Sequence, residues 1–419
     1  MALRLSSMQI FESFYQRTGK LKRNLSLGSL CLGSVCIGLT LDWPESSLSY
    51  LILLYCSGNC LNTALDDVST GQMIMNCGSS VGALLPCCFA DTYGRKFSFA
   101  LASTSNFVFW VILFAFEGDK ELTLVSAIAG LAAGIFVSTS ALYVSEISLP
   151  RTRGSIWALG AAGMYAGGLF GSCLTFVTFL RTIALIMICL ATFFLASLRW
   201  WMIESPYFFF LQGKTLHAKV ALKKLRGART VLEIDPEYKT IELFFHISQD
   251  VSAMKGSRNS FFSVTSRKRR NPALVLIFLC ITQMVGAYGI NDNAKMLLDR
   301  ELPAYRRMIL SSSNFVSLLT WFFVIDRINR RSVLLVISVF GSSLTCLILA
   351  LITLVGSRVD NYYGCYSTLL PASLLVLYYM VSTLGLTPIS CLFCQAKYFH
   401  LVTERLPFAS AYLSSICHR

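Results

Sequence analysis

The chain has 419 residues, of which 55% are hydrophobic and only 14% are charged, and its formal net charge is +14. A soluble protein carries roughly 25% charged residues, so these charges are too few to coat a soluble protein of this length. The composition therefore excludes a soluble enzyme, a nucleic-acid-binding protein with polar basic domains and, since 13% of the residues are aromatic, a disordered chain.

Charge-free stretches near the length that a helix needs to cross a bilayer, roughly 20 residues, recur along the chain. Six precede a long polar segment and four follow it, which predicts an all-α polytopic membrane protein. The predicted spans are Leu25–Leu41, Val68–Ala90, Phe97–Phe116, Leu122–Ser145, Gly154–Leu180, Thr182–Leu198, Ala273–Asn291, Met308–Ile325, Ser332–Ser357 and Asn361–Ala396.

These spans divide the chain into four predicted parts. They are a leader (1–24), a six-helix half (25–198), a polar loop with short amphipathic helices (199–272) and a second half (273–419). Within the first half, the uncharged segment Ser46–Leu65 either extends the first span past Pro44 or forms an outer loop.

The end of the second half is shorter than a span requires. As a helix, the last segment Leu406–Arg419 would reach about 21 Å, against a hydrocarbon core of roughly 30 Å. We therefore expect about ten or eleven spans, the last of them incomplete.

The basic residues predict which ends of the spans face the cytoplasm. Most of the 36 Lys and Arg residues lie in the leader, the polar loop and alternate short loops, on one side of the predicted bundle. No Lys or Arg occurs between Asn24 and Gly94, so the first loop on the opposite side, from Asp42 to Asp67, is wholly acidic. Because basic loops stay in the cytoplasm, the amino terminus and the polar loop are predicted to be cytoplasmic.

A six-residue pattern occurs once in each predicted half, at corresponding points. Asp91-Thr-Tyr-Gly94-Arg95-Lys96 follows the second span, and Asp326-Arg-Ile-Asn329-Arg330-Arg331 follows the eighth. Internal repeats of this kind are typical of transporters made of two similar halves with a site between them. Each copy places an acid and two bases on a short turn, where helix ends from the two halves can form ion pairs that open and close.

The polar loop carries helix start and stop signals. Ser205 followed by Pro206 predicts a helix start, and Gly213 predicts its end. Thr215 is predicted to cap a second helix, and Asp235 with Pro236 to open a third. The apolar stripe of the second helix, at helical spacing, is predicted to be Ala218, Ala221, Leu222 and Leu225.

Two further segments lie where predicted spans four and six end. Tyr143–Gly154 places Glu146 seven residues before Arg153, and Trp201–Gly213 contains Glu204-Ser-Pro-Tyr207. With the repeated six-residue pattern, these segments resemble the major facilitator superfamily and, within it, the sugar porters. Tyr207, where the family usually has Arg, is similar to insect trehalose and sugar facilitators. The resemblance implies a fold of two six-helix halves with a central cavity and alternating access.

The same resemblance implies where substrate binds. A neutral, hydroxyl-rich ligand needs side chains that both donate and accept hydrogen bonds, together with aromatic faces. Gln283 and Gly286 match the family's span-seven motif and Asn314 its span-eight Asn, whereas Ala158 replaces the span-five Gln and Cys391 the span-ten Trp. The predicted substrate-binding residues are Gln283, Asn314, Thr282, Tyr288, Trp157 and Thr387.

Structural roles compete with these assignments. Gln283 and Asn314 could instead form hydrogen bonds between helices, and packing is favoured for Tyr288.

The predicted cytoplasmic gate combines both copies of the repeat with the acids and bases near spans four and six. Its members are Asp91, Gly94, Arg95, Lys96, Glu146, Arg153, Glu204, Asp326, Arg330 and Arg331. The acid that the family usually has in the second cluster is absent here. We therefore consider an ion pair between Lys397 and Glu404, in which the base precedes the acid, the reverse of Glu146 and Arg153.

Other chemistry finds no support in the sequence, and we expect no catalytic residue, no metal and no cofactor. The four His are scattered and no nucleotide-binding fingerprint occurs. An intramembrane carboxylate usually carries protons in symporters, and the predicted spans contain none. The nearest acid, Asp42, is placed at the outer end of span one, which favours facilitated diffusion.

We therefore expect a non-enzymatic, monomeric carrier of a sugar, of the trehalose or hexose class, in the plasma membrane. It would contact lipid and a small-molecule solute but no nucleic acid. Two alternatives stay open: a carrier of the same fold for another small solute, such as an organic ion or polyol, and a truncated member that does not transport.

Overall fold

The computed structural model describes residues 21–43, 58–115, 119–149, 152–177, 180–228, 233–243, 306–324, 331–356 and 373–382. Within these ranges every regular element is an α-helix. The helices are α1 Leu21–Trp43, α2 Gly58–Tyr93, α3 Arg95–Ala115, α4 Asp119–Ile147, α5 Arg153–Val177, α6 Leu180–Trp200, α7 Pro206–Leu211, α8 Thr215–Arg226, α9 (233–243), α10 Arg306–Val324, α11 Arg331–Gly356 and α12 Ser373–Ser382.

The all-α prediction is confirmed, and each predicted span that falls in the described ranges contains a helix. Four helices are long and apolar enough to cross a membrane: Leu21–Trp43, Arg95–Ala115, Val125–Ile147 and Arg181–Trp200. Shorter apolar stretches occur at Met308–Phe323, Val336–Ile352 and Ser373–Ser382. The predicted span Ala273–Asn291 and most of Asn361–Ala396 lie outside the described residues.

The second helix starts earlier in the chain than predicted. α2 begins at Gly58, ten residues before the predicted span, so Asp66 and Asp67 are helical rather than part of a loop. The last residues of Ser46–Leu65, from Gly58 onward, belong to α2, and the described part of α1 reaches Trp43, whereas residues 44–57 lie outside the described residues. The absence of charge marks where a segment can lie in hydrocarbon, but a helix continues past that limit until a breaking residue stops it.

Helices α2 and α4 pack closely because each presents glycines four residues apart. A Cβ atom at Gly78 or Gly82 of α2 would collide with the backbone of α4, and one at Gly130 or Gly134 would collide with that of α2. The same close approach joins α1 to α5. Small residues at this spacing let helices pack in a membrane, where lipid tails remove the hydrophobic driving force for association.

α10 packs against α5, and α12 packs beside α10 and α11. The Ser311 hydroxyl, near the start of α10, donates to Asp42 at the end of α1, whereas α3 begins at the opposite end of the bundle with Arg95. We call these the Asp42 end and the Arg95 end. α10 therefore runs from the Asp42 end towards the Arg95 end.

The short helices α7, α8 and α9 follow α6 at the Arg95 end. The Ser205 side chain caps α7 by accepting from Tyr207 N, and Gly213 follows that helix with a φ of +71°, as predicted. The four residues of the predicted stripe of α8 are all buried.

Two boundaries in this loop were predicted wrongly. Lys214, rather than Thr215, is the N-cap of α8, and it makes no side-chain cap bond. Thr215 is the first helical residue, because Gly213 turns the chain one position earlier than a Thr cap would need. α9 begins at residue 233 rather than at Asp235, since Pro236 is tolerated within a first helical turn.

Candidate functional site

The buried Arg95 guanidinium is the centre of a cluster of charges. Its Nε and Nη2 donate to the two carboxylate oxygens of Glu146 at 2.9 and 2.6 Å, and Nη2 also lies 3.0 Å from Asp91 Oδ1. Nη1 donates to the Ala90 carbonyl at 3.0 Å. Arg95 is 2% exposed and Glu146 is 8% exposed, so this two-pronged ion pair is shielded from solvent.

Glu204 adds a second carboxylate to the same cluster from the segment between α6 and α7. Its oxygens accept from the backbone N of Arg95 at 3.0 Å and of Lys96 at 3.3 Å, which are the first amides of α3. A carboxylate is favourable at a helix N-terminus, where free N–H groups carry partial positive charge. Glu204 thus joins the α2–α3 turn to the chain after α6.

The α2–α3 turn depends on Gly94. Its φ is +102°, a conformation that residues with a side chain rarely adopt. A Cβ atom there would also lie 2.9 Å from Glu204 Oε2. Gly94 therefore permits both the turn and the approach of Glu204, and we call Asp91, Arg95, Glu146 and Glu204 the Arg95 cluster.

A hydrogen-bonded triangle lies next to the Arg95 cluster. The Tyr143 hydroxyl donates to the Ile203 carbonyl at 2.7 Å and lies 2.7 Å from Ser26 Oγ, while Ile203 N donates to the same Ser26 oxygen at 3.4 Å. Tyr143 and Ser26 are fully buried. The triangle ties α1 and α4 to the residue before Glu204, and so it positions that carboxylate.

The loop helices are attached to this end of the bundle by Arg226. Its Nη1 donates to the Ile147 carbonyl at the end of α4 at 3.0 Å, and its Nη2 pairs with Glu237 Oε1 at 2.7 Å. Burial, with Glu146 and Glu237 nearby, raises the pKa of the Tyr207 phenol well above its ordinary value, so that side chain is neutral. A neutral Tyr207 adds no charge to the cluster.

Several predicted gate residues are thus brought together in the first half. Asp91, Gly94, Arg95, Glu146 and Glu204 meet directly, and Lys96 contributes its backbone amide. The Arg153 Nε donates to Ser148 Oγ at 3.3 Å. The gate residues Asp326 and Arg330, with the Lys397–Glu404 pair, lie outside the described residues, and for Arg331 only the backbone at the start of α11 is described.

The predicted substrate residues divide in the same way. Thr282, Gln283, Tyr288 and Thr387 lie outside the described residues. Trp157 is partly buried on α5 and packs against the core of the first half. Asn314 lies on α10, 7% exposed, and its side-chain oxygen Oδ1 has no hydrogen-bond partner among the described residues.

Asp42 is at the end of α1, as predicted, but it is a buried group rather than part of an exposed loop. Its carboxylate is 8% exposed and accepts from the Ser311 hydroxyl of α10 at 3.3 Å. It also lies against Gly168 of α5, where a Cβ atom would collide with the carboxylate. Asp42 therefore connects three helices, and one of them is from the second half.

Sequence reasoning missed three other buried polar atoms that lack a partner among the described residues. They are Gln72 Oε1 on α2, Thr139 Oγ1 on α4 and Trp321 Nε1 on α10. The position of Trp321 offered a signal, because it lies seven residues after Asn314 and therefore on the same side of α10. Burial of a tryptophan normally includes a partner for its N–H group.

Comparison with known proteins identifies relatives over most of the chain. The family model described as "Sugar (and other) transporter" matches residues 15–399. "Sugar transporter ERD6-like 8" of Arabidopsis thaliana is 25% identical over 308 residues, which cover 69% of this chain and 60% of that protein. The human "Solute carrier family 2, facilitated glucose transporter member 6" is 25% identical over 289 residues, covering 65% and 53%. The chain thus spans less than two thirds of these relatives.

Solved structures show the same fold. A partially occluded inward-open structure of the xylose transporter XylE from E. coli superposes with a TM-score of 0.65 at 15% identity, covering 89% of this chain and 84% of that chain. The structure of the proton:xylose symporter XylE with 6-bromo-6-deoxy-D-glucose gives a TM-score of 0.69 at 16% identity, covering 88% and 82%. Similarity at this identity establishes the major facilitator fold.

Proposed function

The chain belongs to the Sugar (and other) transporter family, whose members are transporters rather than enzymes, and we propose that it carries a sugar across a membrane by facilitated diffusion. The chain is a multi-pass membrane protein of the major facilitator fold. We assign the substrate to the trehalose or hexose class and the mechanism to alternating access.

The unpartnered amide oxygen of Asn314 is the observation that carries this proposal. This oxygen lies on α10, which packs against α5 of the other half. A buried polar group without a partner is costly, so its persistence favours a ligand that completes the bond. A sugar hydroxyl can donate to this oxygen and accept from a neighbouring group at the same time.

The Arg95 cluster supports a gate at one end of the path. It draws together α2, α3, α4 and the chain after α6, so that the first half moves there as one body. We propose that this end faces the cytoplasm, with the amino terminus, and that the chain acts as a monomer in the plasma membrane. The second copy of the repeat, Asp326–Arg331, is proposed to meet the cluster when the path closes.

Facilitated diffusion, rather than proton symport, is favoured by the position of Asp42. Its carboxylate lies at the very end of α1 and is held by Ser311 and by the close approach of Gly168. A proton carrier needs access to both sides in turn, whereas this group is engaged at one end of the bundle. If that is correct, uptake will not depend on a proton gradient.

The replacement of the family's span-five Gln favours a second candidate, a carrier of another small solute. Ala158 is fully buried and offers no hydrogen-bonding side chain at that point of α5. A less hydroxylated solute would need fewer such groups.

Uptake of radiolabelled trehalose and glucose by cells that lack their own carriers tests the proposal. Cells that express the chain are expected to equilibrate one of these sugars, with no change when an ionophore collapses the proton gradient. Abolition by the ionophore would replace facilitated diffusion with symport. Uptake of neither sugar, in cells where the chain reaches the surface, would contradict the sugar assignment and would favour a different solute or a non-transporting protein.

A further inference from the structure

Two unpartnered polar atoms share the buried side of α10. Asn314 Oδ1 and Trp321 Nε1 have no hydrogen-bond partner in the described part of the chain, and their side chains are 7% and 0% exposed. Residues seven apart in a helix lie on one side of it, offset by only about 20°. The opposite side carries the exposed residues Val316, Leu319 and Phe323.

The lack of partners is particular to these two side chains. The hydroxyls of Ser311, Ser313 and Ser317, on the same helix, each donate a hydrogen bond, to Asp42, the Leu310 carbonyl and the Met380 carbonyl respectively. The small polar groups of this helix therefore form hydrogen bonds. Its two large polar side chains on the buried side, Asn314 and Trp321, each have an atom without a described partner. Buried unpaired groups destabilise a fold, and such exceptions are associated with function.

The chemistry of the pair selects the ligand. Asn314 Oδ1 can only accept a hydrogen bond and Trp321 Nε1 can only donate one, and neither side chain is charged. An anion would be repelled by the amide oxygen, and a cation would leave the indole N–H unused. A hydroxyl group donates and accepts, so a neutral ligand with hydroxyls at both ends satisfies both atoms.

The spacing of the pair selects the length of that ligand. Seven residues of helix advance about 10 Å along its axis. A single pyranose ring is shorter than this rise, whereas two linked rings span it.

We propose that Trp321 is a second anchor of the substrate site and that the ligand that reaches from Asn314 to Trp321 is a disaccharide. This inference rests on the proposed sugar transport and narrows it to the longer members of the substrate class. Trp321 lies towards the Arg95 end, so the far ring of the disaccharide would approach the gate.

The test replaces Trp321 by Phe, which keeps an aromatic ring but removes the indole N–H together with part of the ring. Trp110→Phe is the matched control, because Trp110 is equally buried but its Nε1 donates to Thr40 Oγ1 at 3.0 Å. The full chain, the two variants and two probes, trehalose and glucose, are compared by competition against the transported sugar and by thermal unfolding of the purified protein.

We expect W321F to bind trehalose about five- to tenfold more weakly than the unaltered chain, the loss of one hydrogen bond, with glucose changed less than about twofold. W110F is expected to leave the affinities for trehalose and for glucose unchanged. Without sugar, W321F should lower the unfolding temperature less than W110F, because both lose the same buried ring volume but only W110F also breaks a hydrogen bond.

Three results would overturn the inference while leaving sugar transport intact. They are an unchanged affinity of W321F for trehalose, an equal loss for glucose, and a fall in the unfolding temperature of sugar-free W321F like that of W110F. The last would show that the indole N–H is bonded inside the protein. If the unaltered chain bound neither probe, the proposed function itself would fail, and this inference with it.

Discussion

The Arg95–Glu146 pair and the buried side of α10 are both polar and both buried, but they differ in whether their polar atoms have hydrogen-bond partners. The described N–H groups of the Arg95 guanidinium donate to carboxylates or to a carbonyl. Glu204 accepts from the backbone N of Arg95 at the start of α3. On α10, Asn314 and Trp321 each leave an atom open. We call the hydrogen-bonded polar groups around Arg95 the closed set, and Asn314 with Trp321 the open set. The closed set stabilises a conformation, whereas the open set can bind a ligand.

This difference separates the two kinds of residue that a transporter needs. The closed set is expected to govern stability and the exchange between conformations, and the open set to govern affinity. Substitutions in the first should therefore lower the free energy of unfolding more than matched substitutions in the second. The three predictions that follow begin in the closed set and move outward from it, in order of decreasing effect.

Arg95→Gln should cause the largest loss. Glu146 would be left buried without its cation, and removing one partner of a buried ion pair costs about 3–5 kcal/mol. The free energy of unfolding, measured by detergent titration of the purified chain, should fall by that amount. The double variant Arg95→Gln, Glu146→Gln should recover most of it, because no buried charge remains unpaired. A single variant within about 1 kcal/mol of the unaltered chain would show that the cluster is not closed.

Tyr143→Phe should cause an intermediate loss. The ring keeps its edge-to-face contact with Phe99, but the Ile203 carbonyl loses a buried donor, which costs about 1–2 kcal/mol. Tyr238→Phe, at a hydroxyl that bonds Glu242 in the loop helices, is a control expected to change stability by less than about 0.5 kcal/mol in the same titration. Equal effects of the two variants would mean that the Ser26–Tyr143–Ile203 triangle does not contribute.

Glu237→Gln should have the smallest effect. It removes an ion pair with Arg226 whose carboxylate is 36% exposed, and such pairs contribute below about 1 kcal/mol. The difference from the unaltered chain should shrink further in high salt, because exposed charges are screened. A loss of more than about 2 kcal/mol, unchanged by salt, would place this pair within the closed set.

The sequence predicted the closed set better than the open one, and the reason is physical. Charged residues are few in this apolar chain, and they include Glu146, Glu204 and the charged residues of the Asp91–Lys96 turn. Because a buried charge needs a partner, few pairings were available to these residues. The interruption at Gly94 located the turn. Charge and helix breakers are local signals that can be read without coordinates.

The open set and the helix ends required coordinates. Whether Asn314 is satisfied depends on the neighbours of α10, and nothing in the residues around Trp321 shows that its N–H lacks a partner. The start of α2 at Gly58 was missed because Asp66 and Asp67 end the charge-free window, although the helix itself runs through both residues. Asp42 was placed at the right helix end, but its burial depends on Gly168 and Ser311, which are far away in sequence.

Counterflow of labelled trehalose or glucose into proteoliposomes, compared between the unaltered chain and Asn314→Leu, tests the central claim most directly. The unaltered chain is expected to accumulate label transiently against unlabelled sugar inside. Asn314→Leu should lose at least about tenfold in rate, since an unsatisfied ligand hydroxyl weakens binding by more than 1 kcal/mol, while its free energy of unfolding is unchanged or higher. Full counterflow by Asn314→Leu would contradict the assignment of α10 as the substrate-binding side, and no counterflow by the unaltered chain would contradict sugar transport.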